Sequence, residues 1–255
     1  MTPESTRGAE GLRSGLAAAV IARSFLLQSV WNRRTMQSVG FCYAMLPVLG
    51  EKRADGAAAK AFLERHLGFF NTNPVLASYV LGAAAAAELG CSGRSEHEAE
   101  ATKRALSGPL GMAGDALFWA ALRPLGGFLG VVALLAGKPW AAAVPLVLYN
   151  APHLLVRVRG VLAGAARGPA AAREVLGPGV RRTVAALRAA CAFAAGFVAA
   201  LAVARAAAGP RGVVAAGLAC AAGLVALRLR VPLSAVAIAV VVVGTALAAA
   251  GVLGG

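Results

Sequence analysis

Apolar residues along this chain come in continuous runs, without the alternation of a half-buried strand, so the pattern predicts helices throughout. Residues 1–15 are rich in glycine, serine, threonine and charge, which suits a loose cytoplasmic tail. The run at 16–30 is interrupted by Arg23, Ser24 and Gln28. It is shorter and more polar than the ~20 apolar residues that cross a bilayer, and predicts an interfacial or tucked-in helix. Trp31-Asn32-Arg33-Arg34 follows as an interfacial anchor, and 40–47 is a second short apolar run. Residues 51–65 predict a charged amphipathic helix, with Phe62, Leu63, Leu67 and Phe70 near helical spacing. Asn71-Thr72-Asn73-Pro74 then makes a compact polar turn. Asn73, preceding proline, is biased toward extended backbone, which ends the helix there. A helix restarts at 75–87, too short to cross alone, and 92–104 is a solvated stretch of mixed charge.

The middle of the chain, 108–123, is apolar enough for a bilayer yet holds Asp115, Arg123 and three glycines, with Pro109 and Pro124 at its edges. A charge in lipid costs at least ~2.5–3.5 kcal/mol on insertion scales, so it must face protein or a wet cavity. Irregular backbone at membrane depth survives under the same condition. Broken helix paired with an intramembrane ion is the way solute carriers build binding sites, and the pattern therefore predicts a transport subunit. A second proline-broken polar patch, Tyr149-Asn150-Ala151-Pro152-His153, lies inside the apolar run 140–156. Further on, 157–188 carries seven arginines against Glu174 alone, which predicts a cytoplasmic position. Apolar runs at 189–204, 212–227 and 231–253 close the chain, and alternate crossing leaves the C-terminus outside.

Composition agrees with this pattern. Hydrophobic residues make up 59% of the 255, above the ~45–50% of soluble domains, and mean hydropathy is +0.71. Much of that apolarity is alanine and glycine, which let membrane helices approach closely. The fold class is all-α integral membrane: broken or re-entrant helices plus C-terminal transmembrane helices, preceded by an N-terminal amphipathic helical arm. The arm and tail are assigned to 1–65 and the transmembrane core to 66–255. A net charge of +14 invites a nucleic-acid reading. The basic residues instead cluster at the ends of apolar runs, which makes them orientation charge and excludes nucleic acid as a partner. Cys42, Cys91, Cys191 and Cys220 show no metal-ligand or disulfide spacing. The first twenty residues lack the order of a signal peptide, so insertion is expected to use internal segments.

Asp115 fits several roles: capping the helix that follows, pairing with Arg123, contacting substrate, or contacting a partner. Asn71, Thr72 and Asn73 offer uncharged donors and acceptors suited to sugar hydroxyls, and equally to a capped turn. His153 fits a satisfied buried histidine better than a ligand contact, His66 the polar end of the amphipathic helix, and His97 a solvated position. No nucleophile, base and acid stand at triad spacing. Between Glu100 and Glu174 the only acid is Asp115, too few carboxylates for metal-dependent chemistry in the membrane, and no metal or cofactor is expected.

Four ordered blocks carry a family resemblance. They are Arg23-Ser24-Phe25-Leu26-Leu27-Gln28-Ser29-Val30-Trp31-Asn32 with Met36-Gln37 and Gly40-Phe41; Arg65-His66 through Phe70-Asn71-Thr72-Asn73-Pro74; Gly108-Pro109 through Gly114-Asp115 to Trp119; and Asn150-Ala151-Pro152-His153 to Arg157. This sequence resembles the IID membrane component of the mannose/fructose/sorbose-class phosphotransferase system. The resemblance implies a multi-pass protein of the bacterial cytoplasmic membrane that pairs with a IIC subunit to carry a hexose inward. It implies a trimer of IIC–IID pairs, with phosphate passed through cytoplasmic IIA and IIB and no phosphorylated or other catalytic residue on this chain. The resemblance assigns much of the sugar contact to the IIC partner, and the candidate substrate-path or partner-contact positions on this chain are Asn71, Thr72, Asn73, Pro74, Gly114, Asp115, Asn150 and His153. Two departures stand out. The stretch before the last helices is compressed to 205–211, and Asn73 occupies a position where the family commonly has histidine. The rival expectation is a non-transporting membrane scaffold or regulatory remnant of such a system.

Overall fold

The computed structural model describes residues 12–91 and 94–206. Helices dominate it: α1 (Ser14–Ser24), α2 (Ser38–Lys52), α3 (Gly56–Leu67), α4 (Ala77–Glu88), α5 (Glu96–Gly114), a π-helical segment (Asp115–Leu122), α6 (Arg123–Leu135), α7 (Ala143–Arg167), the short α8 (Arg173–Leu176) and α9 (Pro178–Ala206). Among the described residues the β content is two isolated bridges, Asn32 with Met36 and Met36 with Phe70. Two helical runs, Glu96–Leu135 and Pro178–Ala199, are long and apolar enough to cross a membrane. A soluble core helix passes the same test when it is mostly buried. Here only 33% and 11% of the two windows are buried, which suits faces turned to lipid. The chain is an all-α integral membrane protein, as its sequence pattern predicts. The apolar runs 212–227 and 231–253 lie outside the described residues.

The chain divides into two compact units. The first comprises the chain up to Trp119 together with Asn150–Thr183. Its centre is α4, whose twelve residues are all buried. Alanine and glycine make up more than half of that helix, and these small side chains admit other backbones directly. A Cβ on Gly82 would overlap the Val161 carbonyl, and one on Gly164 the Tyr79 carbonyl. Gly160 has no more room, because Ser78 fills the space where its Cβ would sit. Glycines 160 and 164 are four apart on α7 and so share one face. They form the small-xxx-small seam by which membrane helices pack.

In the second unit, Ala120–Tyr149 and the chain from Val184, Leu125, Cys191 and Ala194 form a buried cluster edged by Phe128, Leu148 and Leu187. Gly126 and Gly130 face Pro145 there, where added methyls would press on its ring or backbone.

Two local expectations take a different form. Residues 51–65 belong to two helices: α2 continues through Pro47 to Lys52, Arg53 turns the chain at a φ of 50°, and α3 starts at Gly56. The polar, glycine-rich middle does not interrupt the helix. The hydrogen-bond ladder widens from α to π at Asp115 and returns to α at Arg123.

Candidate functional site

The polar turn after α3 is where distant parts of the first unit converge. The Gln37 side chain, buried just before α2, grips Thr72 in both directions. Its Nε2 donates to the Thr72 carbonyl at 2.8 Å, and its Oε1 accepts the Thr72 amide at 3.1 Å. Thr72 Oγ1 donates to the Ser107 carbonyl on α5 at 2.8 Å. Asn73 is buried, and its Oδ1 accepts the Val75 amide, closing an Asx turn that leads into α4. Its Nδ2 donates to Asp115 Oδ1 at 3.0 Å. Gly114 makes this approach possible, since a Cβ there would overlap the Asn73 side chain.

These contacts build a cleft of about 330 Å³, within the ~300–1,000 Å³ range of small-molecule sites. Gln37, Thr72 and Ser107 contribute to its lining along with Gln28, Asn71 and Asp115, while Trp31, Met112 and Trp119 are apolar and substantially exposed. The sequence-predicted set thus separates. Asn71, Thr72 and Asp115 line the cleft; Asn73 and Gly114 position them; Pro74 begins the turn into α4. Asn150 and His153 lie on α7 and are not among the lining residues. His153 sits near the Phe25 and Phe118 rings, with Arg157 Nε 3.2 Å from its Nε2. Asp115 is not the N-cap of a following helix. The helix continues through it, and its carboxylate accepts from Asn73 instead.

The first unit also holds an ion network that the sequence did not announce. Glu88, at the end of α4, is fully buried and accepts from Lys52 Nζ at 2.9 Å, Arg65 Nε at 2.7 Å and Arg65 Nη2 at 3.1 Å, with His66 Nε2 at 3.0 Å. Glu96 bridges Lys52 and Arg65 from outside. Burial alone raises a carboxyl's pKa, but here the hydrogen bonds from His66, Arg65 and Lys52 outweigh it and hold Glu88 at about 2. Burial is the leading effect on His66, and it lowers that histidine's pKa. A neutral imidazole with its proton on Nε2 fits the contact. Lys103 Nζ donates to the Arg65 carbonyl at 2.9 Å and lies 4.8 Å from the Phe41 ring centroid, tying α5 to the last turn of α3.

Comparison with known proteins places the whole arrangement. The family model of the PTS system mannose/fructose/sorbose family IID component matches residues 12–207. The chain belongs to this family. It is 35% identical over 153 residues to the PTS system mannose-specific EIID component of Escherichia coli (strain K12), covering 58% of this chain and 54% of that protein. It is 30% identical over 165 residues to the Fructose permease IID component of Bacillus subtilis (strain 168), covering 64% and 60%. The chain therefore matches somewhat over half the length of these relatives. Among solved structures, one described as "Structure of membrane protein" is similar at a TM-score of 0.66 and 28% identity, over 74% of this chain and 71% of that one. The mannose transporter ManYZ, solved in complex with microcin E492, shares the fold at a TM-score of 0.58 and 24% identity, over 96% and 100%.

The IID match covers every residue of the cleft. Gln37 and Ser107 escaped sequence reasoning as site residues. Gln37 lies within one of the family-like blocks, and its spacing from Met36 and Gly40 was the available signal. Nothing local marks Glu88 as the partner of Lys52, Arg65 and His66.

Proposed function

We propose that this chain is the IID half of a mannose-class sugar permease in the bacterial cytoplasmic membrane, crossing it several times and pairing with a IIC subunit. The pair carries a hexose inward, cytoplasmic IIB phosphorylates it with phosphate received from IIA, and the pairs assemble as trimers. The observation that carries this reading is the cleft formed by the Gln37, Thr72 and Asp115 network in a chain of the IID family. It is a small site in a membrane protein, lined by uncharged hydrogen-bonding groups and one carboxylate, and flanked by tryptophan. Such a lining suits a neutral, hydroxyl-rich solute.

The test is phosphoenolpyruvate-dependent sugar uptake in cells from which this gene alone is deleted. Uptake of at least one hexose is expected to disappear and to return with the wild-type gene. Undiminished uptake of mannose, fructose and sorbose would overturn the transport role and favour a scaffold.

A further inference from the structure

Resting on the sugar-path reading, we propose that the cleft is a subsite for a neutral cyclic polyol, and that Asp115 makes it reject the phosphate ester of the same sugar. The polar groups of the cleft fall into two sets. Gln37, Thr72 and Asn73 spend their hydrogen bonds on one another, on the Ser107 carbonyl and on Asp115, so they build the wall. Gln28 and Asn71 are exposed side chains of the lining, and Asp115 has Oδ1 fixed by Asn73, leaving Oδ2 to accept from a ligand. Trp31 and Trp119 line the same cleft and are each about half exposed. Aromatic faces beside hydroxyl-binding groups match the two surfaces of a sugar ring, one apolar through its C–H groups and one polar.

The charge pattern gives the direction of selectivity. Among the described residues of the lining there is no Lys, Arg or His, and the one ionisable group is a carboxylate. Phosphate sites are built from the opposite set: arginine forks, lysine, or bare backbone amides. A phosphoester entering this cleft would find no cation and would meet, at the exposed Asp115 carboxylate held by Asn73, a like charge that repels it. Discrimination by a repulsive element is an economical route to specificity, because it leaves binding of the correct ligand intact. For a permease whose cargo becomes a phosphate ester on release, this makes the binding step insensitive to accumulated product.

The experiment uses the full chain purified in detergent with co-expressed IIC, carrying Trp140→Phe so that Trp31 and Trp119 are the fluorophores of this subunit. D-mannose, D-fructose and L-sorbose are titrated, each against its phosphate ester, and compared with the same complex carrying Trp31→Phe and Trp119→Phe. At least one free sugar is expected to give a saturable change that depends on these two tryptophans, with its ester bound at least tenfold more weakly. Asp115→Asn, which keeps an acceptor for Asn73, should narrow that gap to within about threefold. Asp115→Glu should preserve it, and Asn71→Ala should weaken sugar and ester together. Equal binding of sugar and ester by the wild type would overturn the proposal, as would a gap unchanged by Asp115→Asn. If cells restore uptake yet no sugar perturbs either tryptophan, the subsite is refuted and the transport role stands. Discriminating binding without restored uptake has the reverse meaning.

Discussion

Glu88 illustrates how one side chain can hold several helices together. It is buried beside two cations and a neutral imidazole, drawn from α2 and α3. Removing one member of a buried ionic group leaves the others uncompensated, at about 3–5 kcal/mol. Lys52 and Arg65 keep Glu96 as a partner, so Glu88→Gln is expected near the lower end, about 3 kcal/mol, read by thermal unfolding in detergent. The pH dependence has two parts. His66 has a folded pKa below its ordinary 6.5, so the unfolded chain takes up the proton first and stability falls as pH drops through that value. Glu88 sits at about 2 folded against 4.5 ordinarily. Its contribution is whole above 4.5 and is lost between 4.5 and 2. The wild type should lose stability in both windows on acidification, whereas Glu88→Gln should lose less in the lower one, where of Glu88 and Glu174 only Glu174 still titrates. A single-stage profile identical in both proteins would contradict the network. None of this was legible in the sequence. His66 and Glu88 are 22 positions apart, and in isolation each reads as a solvated residue at a helix end. A second site substitution follows from packing. Gly114→Ala must displace the Asn73 side chain, breaking its bond to Asp115, at about 1–3 kcal/mol.

At the scale of elements, the hydropathy pattern predicted the helices well and their joints poorly. The run at 40–47 extends to a fifteen-residue helix because α2 accommodates Pro47, and the polar middle stays helical because a π ladder absorbs it. Glycine and proline signal an irregularity without saying whether it will be a break or a widened turn. Their packing meaning is clearer. Gly164→Ala would drive a methyl into the Tyr79 carbonyl, a backbone atom that cannot swing aside, and is expected to cost about 1–3 kcal/mol or to prevent folding. Gly127, inside α6 with open space around it, should behave oppositely. Gly127→Ala is expected to stabilise by up to about 1 kcal/mol through helix propensity alone. Paired unfolding curves of the two variants would show whether close approach, rather than glycine content, decides.

For the molecule as a whole, the legible part was its class. Continuous apolar runs and basic clusters at their ends predicted a helical membrane protein, and four spaced blocks predicted the IID family. The convergence of the second and third blocks on one cleft was foreshadowed by the residues quoted from each, but the Asn73–Asp115 bond that joins them spans 42 positions and needed the fold. The arginine-rich stretch carries a topological prediction. Glu174 is held at about 2 by the hydrogen bonds from Arg159 and Arg167, which organises the segment without neutralising it. A single cysteine introduced at Arg181 in a cysteine-free background should react with a membrane-impermeant maleimide only after the cytoplasmic face is opened. Labelling in intact cells would reverse the assigned orientation.

The wholly enclosed α4 has one more consequence, for the order in which the protein comes apart. Its backbone amides are shielded on every side by other helices and by carbonyls pressed against glycine, so no small fluctuation can bring deuterium to them. Exchange at residues 83–87 should wait for the opening of the entire first unit, making that alanine string a clock for global unfolding while the exposed amides of the α1–α2 connection exchange early.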